Sequence, residues 1–266
     1  MYDIVERLHA EGKVTTEPLT SVRLKLHVRC QWRCSFCHME GNHNSRPIHA
    51  DAELATALEG FRDYLGFSEA HLTGGEPMIH PEVRAITQLA TGLGFTVKMT
   101  TNGQVPAARY LELVGAGLKQ VNVSVHTLDG AMLAAIMRPT RSAVWGDRAV
   151  TRQLSLLHEL QGKVVCRVNT VVGTTIEQAL SIASFVFSHG IDWRITNSLE
   201  DGEESLHAIH RLCDELGAEP VGADFINGSS SYSVTFQTSA GGRFRVKLIR
   251  PFRLSVMCTT DIHISP

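Results

Sequence analysis

"VRLKLHVRCQWRCSFCHMEG" (22–41) begins as one kind of structure and ends as another. Polar and apolar residues alternate through its first half, the period of a half-buried β-strand, here placed at 24–29. Cys30, Cys34 and Cys37 then fall within eight residues, in a chain that has six cysteines in all. A strand that delivers a cysteine-rich loop at its C-terminal end is the unit from which the rest can be read.

Outward from it the same pattern repeats. Short runs rich in β-branched and apolar residues recur at 70–73, 96–101, 121–126, 164–172 and 192–198. Amphipathic helical stretches run near 52–64, 82–93, 106–116, 129–137, 147–161 and 176–189. Strand followed by helix, six times over, is the mark of βαβ units and a parallel sheet. The expected fold class is α/β, a partial (β/α)6 TIM-type barrel over residues 1–200. From residue 201 to 266 the period changes. A helix at 203–216 precedes turn signals "NGSS" and "SAGG" around a period-two stretch, which predicts a small C-terminal antiparallel β cap.

Composition limits the partners. With 266 residues, 43% of them hydrophobic, the chain can bury a sizeable core, and its formal net charge of −2 supplies none of the basic field that dominates nucleic-acid affinity. A small-molecule or peptide partner is expected, and no nucleic acid. No window holds eighteen apolar residues in a row, and charges interrupt "MYDIVERLHAEGK" where a secretory signal needs an apolar run, so the expectation is a cytoplasmic protein with no membrane partner. The scattered Cys166, Cys213 and Cys258 do not form a disulfide framework and read as small buried hydrophobes.

The three clustered thiols admit several readings. At spacings of four and three they would share one face of a helix, as a buried stripe of small side chains. As a wrapped loop they could hold three irons of a [4Fe–4S] cluster and leave the fourth iron open. Zinc, with His38 or His43 as a fourth ligand, competes, although zinc sites favour two C-x-x-C elements and only one is present.

A second motif adds a resemblance. The C-x-x-x-C-x-x-C spacing, with aromatic Phe36 before the last cysteine, together with "LTGGEP" (72–77) after the next strand, resembles the signature of radical S-adenosylmethionine enzymes. The resemblance implies that Cys30, Cys34 and Cys37 ligate one [4Fe–4S] cluster. The Gly74-Gly75-Glu76-Pro77 loop would hold the methionine amino group of S-adenosyl-L-methionine. Reduction of the cluster would then release a 5′-deoxyadenosyl radical that takes hydrogen from a substrate, with a flavodoxin or ferredoxin as electron donor. The chemistry of the loop agrees: glycines allow close backbone approach to a ligand, Glu76 can accept from an ammonium, and Pro77 stiffens the turn.

Over roughly residues 20–200 the motifs "TTNG" (100–103), "VNVSVHTLD" (121–129) and "RVNTVV" (167–172) are similar to the GTP 3′,8-cyclase subgroup of molybdenum-cofactor biosynthesis. That similarity implies that Phe36, Gly75, Ser124 and Leu199 contact the cofactor, with Asn102 close by. It places Arg23, His71, Thr101 (or Thr100) and Arg167 where the subgroup binds its anionic substrate. The subgroup's second cluster needs three further cysteines, and "RPFRLSVMCTTDIHISP" (250–266) offers Cys258 alone, so a single cluster is expected. The resulting expectation is a radical enzyme of specialised metabolism acting on a polar, anionic small molecule such as a sugar, nucleoside or amino-acid derivative. The alternatives are a cyclase-like enzyme of molybdopterin biosynthesis and a non-catalytic zinc or iron–sulfur module. Sequence gives no oligomeric state.

Overall fold

The structure, a computed structural model, describes residues 2–37, 46–227 and 231–249, with the backbone of 262–264. Six parallel strands stand in chain order: β2 (Ser21–Lys25), β3 (Glu69–Thr73), β4 (Thr96–Thr101), β5 (Leu118–Ser124), β6 (Val165–Val172) and β7 (Asp192–Asn197). Helices α2 (Ala52–Leu65), α3 (Val83–Gly92), α4 (Ala107–Gly115), α5 (Gly130–Ala135), α6 (Ala143–Leu160) and α7 (Glu177–His189) fill the crossovers, and α8 (Gly202–Glu215) follows β7. The sheet is open, as expected of a partial barrel.

Alternation along the strands gives the sheet two different faces. Val22 and Leu24, Ala70 and Leu72, Val97 and Met99, Val121 and Val123, Val168 and Ile195 are buried in one core with Leu58, Ile86, Tyr110, Leu157 and Ile182 of the helices. The intervening positions are polar and bond one another along and across strands. His71 contacts Thr100 at 2.8 Å, Asn122 donates to Thr100, Gln120 donates to Asn122, and Lys98 pairs with Glu69. A parallel sheet is ordinarily apolar on both faces. This one reserves the face away from its helices for polar groups.

The antiparallel strands expected after residue 200 are present as β8 (Ala218–Ile226), β9 (Tyr232–Thr238) and β10 (Arg243–Leu248). They continue the same sheet edgewise, because β10 pairs parallel with β7. Three elements were not anticipated. A helix α1 (Tyr2–Ala10) leads into β1 (Val14–Glu17), which pairs with β8 at one edge, while β11 (Ile262–Ile264) pairs with β2 at the other. The first core strand also ends earlier than its alternation suggested. Beyond Lys25 the chain leaves the regular ladder and bonds the loop after β3 instead, through Leu26 N–H to Thr73 O and Gly75 N–H to His27 O.

Candidate active site

The segment after β2 is a loop, which removes the helical-stripe reading of its cysteines. Trp32 anchors it: the indole is 5% exposed and packs in a small apolar cluster with Leu133, Met137, Ala149 and Val150 of the α5–α6 region. Backbone bonds from Ser35 N–H to Ile136 O at 2.8 Å and from Arg138 N–H to Arg33 O at 2.8 Å tie the loop to the same region. With Trp32 held, the thiols of Cys30, Cys34 and Cys37 line one wall of a cavity of about 260 Å³.

The Gly-Gly-Glu-Pro loop closes the opposite side of that segment. Gly74 has φ of 127°, a region costly for any other residue. A Cβ on Gly75 would lie 2.0 Å from Arg29 O and 2.4 Å from Arg29 C. The backbone preceding Cys30 thus by itself demands glycine at this position, and Gly75 also lines the cavity. Gly75 N–H to His27 O at 2.7 Å and Glu76 N–H to Arg29 O at 2.8 Å zip the two loops together.

Glu76 is almost wholly buried and serves the scaffold first. One carboxylate oxygen accepts from Met78 N–H at 3.0 Å and Thr101 O–H at 2.7 Å, the other from Asn102 N–H at 2.6 Å. Burial pushes its pKa up to about 7 despite these donors. A carboxylate offers about four acceptor positions, so capacity for one more donor is left. Pro77 starts the short 3-10 turn Pro77–Ile79 and does not line the cavity.

The other expected cofactor residues stand around the same space. Phe36 meets the ring of His126 edge-on, centroids 4.7 Å apart, and Gly74, Asn102, Ser124 and Leu199 contribute to the cavity wall. A second cavity, about 340 Å³, adjoins the first and shares Phe36 and His126 with it. His126 was overlooked in the sequence. Its Nδ1 accepts from Val171 N–H at 3.2 Å and burial lowers its pKa to about 4, so the ring is neutral with its proton on Nε2. Its place two residues after Ser124, on the same side of the strand, was the available signal.

The four expected substrate residues separate. Arg23 lines the cavity and donates to Thr73 Oγ1 at 3.3 Å. His71 lies outside the lining and holds Thr100, whose hydroxyl is on the polar face. Thr101 faces the other way: it touches the cavity, but its hydroxyl bonds Glu76 and Tyr110. Arg167 does not reach the lining at all. It sits near the start of β6, where its guanidinium meets Asp192 at 3.3 Å, so the expected Arg23–Arg167 pair is not formed at the mouth. His38, His43 and Cys258 lie outside the described residues.

A model described as the Radical SAM superfamily matches residues 24–186. The chain belongs to the radical SAM superfamily. Members use a [4Fe–4S] cluster and S-adenosylmethionine. The chain is 26% identical over 207 residues to a probable GTP 3′,8-cyclase of Sulfurisphaera tokodaii, an alignment covering 74% of this chain and 64% of that one. It is also 26% identical over 193 residues to a GTP 3′,8-cyclase of Trichodesmium erythraeum, covering 70% and 58%. It thus spans less than two thirds of the length of these curated relatives. Among solved structures, Streptococcus suis SuiB bound to S-adenosylmethionine superposes with a TM-score of 0.60 at 20% identity, over 80% of this chain and 50% of that one. The anSMEcpe structure with bound AdoMet gives 0.57 at 15%, over 74% and 60%. These two likenesses are of fold.

The radical SAM cofactors can be tested against the residues present. Three soft sulfur donors face one cavity, the donor set that an iron–sulfur cluster requires. Burial, and then repulsion from Cys37 and Cys30, pushes the Cys34 thiol up to about 12; burial pushes Cys30 to about 11. Such thiols ionise together only when a metal centre supplies positive charge. Cys30 Sγ already receives Trp32 N–H at 3.3 Å and Asn102 Nδ2–H at 3.7 Å, donors suited to a bound thiolate. The residues fit the group. Among the described residues no helix is long and apolar enough to cross a membrane.

Proposed function

We propose that this chain is a radical S-adenosylmethionine enzyme acting on a polar, anionic small molecule. Cys30, Cys34 and Cys37 hold one [4Fe–4S] cluster, and the loop from Gly74 to Pro77 receives the cofactor's methionine end. The bound pair supplies a 5′-deoxyadenosyl radical after one-electron reduction by a flavodoxin- or ferredoxin-class donor, and that radical removes hydrogen from the substrate. The observation that carries this reading is the zipped pair of loops: the Gly-Gly-Glu-Pro backbone bonds residues 27–29, immediately before the cysteines that face the shared cavity. Glu76 keeps one acceptor position for an ammonium, and neutral His126 offers a donor between the two cavities.

The substrate end supports an anion bound by Arg23. The same lining carries Thr73, Thr100, Thr196 and Ser198, whose hydroxyls are suited to a sugar, nucleoside or amino-acid derivative. A charge-assisted contact to a desolvated anion is worth about 1.5–3 kcal/mol. Arg23→Ala is thus expected to weaken substrate binding by about tenfold or more while S-adenosylmethionine binding stays unchanged. Equal loss of both would place Arg23 in the scaffold.

The curated relatives favour one second reading, a cyclase-like enzyme acting on GTP. Incubating the reduced, reconstituted protein with S-adenosylmethionine and GTP separates the two. A cyclised GTP product supports the second reading, whereas 5′-deoxyadenosine formation with GTP returned intact supports a different anionic substrate.

A further inference from the structure

Asn102, at the C-terminal end of β4, is tied down by every polar group it has. Its backbone N–H goes to Glu76 Oε2 at 2.6 Å, and its backbone carbonyl accepts from Gln153 Nε2 at 2.9 Å. The side-chain Oδ1 accepts Gln104 N–H at 3.1 Å and lies 3.5 Å from Gln31 Nε2. Which way a carboxamide points is decided by its hydrogen-bond network. Here Oδ1 is the end that accepts, so Nδ2 is the end turned to Cys30, 3.7 Å from its Sγ. The residue is 7% exposed, and its side chain is fixed on the cavity wall beside Cys30. Trp32 N–H reaches the same sulfur at 3.3 Å, from a residue locked in its own apolar cluster. Cys30 therefore receives one donor from the cysteine loop itself and one from the loop that follows β4.

We infer that Asn102 is a positioning residue that donates a hydrogen bond to the Cys30 thiolate and raises the reduction potential of the cluster. This rests on the reading of the three cysteines as cluster ligands. Reduction adds negative charge to the iron–sulfur core, and N–H donors aimed at its sulfurs favour the more negative state; they are among the main settings of cluster potential. Asn102 is also mechanically coupled to the cofactor loop through Glu76, so the same residue joins the Gly-Gly-Glu-Pro segment to one ligand of the cluster. The consequence is a cluster that a modest one-electron donor can reduce more easily than the three cysteines alone would allow.

The test is an EPR-monitored redox titration of the anaerobically reconstituted protein, with Asn102→Asp and Asn102→Leu beside wild type. Asn102→Asp keeps the acceptor oxygen for Gln104 N–H and removes the donor; Asn102→Leu removes both. Both variants are expected to titrate at a more negative potential. The ratio of oxidised to reduced cluster at a fixed poise should rise about tenfold, equivalent to 59 mV for one electron. A wild-type potential retained in either loaded variant overturns the inference. Because a variant can fail to take up iron, a second measurement uses wild type alone, labelled with ¹⁵N in the asparagine side-chain amide. Pulsed EPR of the reduced cluster should then detect a coupled ¹⁵N nucleus, and its absence overturns the inference on intact protein. If wild-type protein takes up no cluster, the reading of the cysteines falls too, an outcome distinct from a loaded cluster whose potential ignores Asn102.

Discussion

Adding one methyl group at Gly75 should disconnect the two loops that form the site. The Cβ of Gly75→Ala would lie 2.0 Å from Arg29 O, 2.4 Å from Arg29 C and 2.8 Å from Val28 C, all of them backbone atoms that cannot rotate away. Ordinary contact begins near 3.4 Å, so the strands of the zipper must part by more than 1 Å. That separation costs the bonds from Gly75 N–H to His27 O and from Glu76 N–H to Arg29 O. Each buried backbone group left without a partner costs about 1–3 kcal/mol, so with one such group per lost bond the variant should lose about 2–6 kcal/mol. Cys30 follows Arg29 directly, and a displaced ligand should lower iron uptake as well. Urea unfolding of the metal-free protein reads the first effect, and iron per chain after reconstitution reads the second. Gly60→Ala is the control: in helix α2 its Cβ has no neighbour nearer than 4.0 Å, and exchange should be neutral or stabilising by about 0.5–1 kcal/mol. A Gly75→Ala protein as stable and as fully loaded as wild type would refute the argument that glycine is required by the backbone of the cysteine loop.

Two other substitutions address the support of the site. Trp32→Ala removes the buried anchor of the loop and should destabilise the protein by about 3–5 kcal/mol in denaturant unfolding; a change below 1 kcal/mol would mean that the loop is held elsewhere. His80 is buried against His27, ring centroids 5.1 Å apart, and burial followed by the His27 charge lowers its pKa to about 4. The unfolded chain therefore takes up this proton first as the pH falls below about 6.5. Stability that His80 contributes above that pH is lost on the way down to about 4, by at most about 3 kcal/mol. His80→Phe keeps a ring in place, costs the acceptor for Glu82 N–H, and should flatten the dependence over that interval; parallel pH curves for the two proteins would contradict this.

What could be read from the sequence follows from how local the information is. β4 was placed at 96–101, to the residue, because its alternation is contained within it. The cysteine loop was legible for the same reason. The start of β5 was missed by three residues, since Lys119 and Gln120 break the apolar run before Val121. β1 has one half-buried residue and three exposed ones, and only its pairing with the distant β8 makes it a strand. In the site, residue types were readable but not their partners. Glu76 was readable as an acceptor for an ammonium, but not that three of its acceptor positions already serve residues 78, 101 and 102. The close packing of Gly75 on Arg29 was not readable, because the backbone it meets belongs to another strand's end. Arg167 shares the polar face with Arg23 but sits at the far end of its strand, a distinction that face periodicity alone does not carry.

The central claim is that three cysteines hold one cluster with an iron open to S-adenosylmethionine. EPR of the reduced, anaerobically reconstituted protein, recorded before and after adding S-adenosylmethionine, tests it most directly. The account predicts about four irons and four sulfides per chain, a spin-half signal whose g-values move when the cofactor is added, and loss of that signal when Cys30, Cys34 or Cys37 is replaced by alanine. A colourless protein carrying one zinc, or a cluster signal indifferent to S-adenosylmethionine, would contradict it.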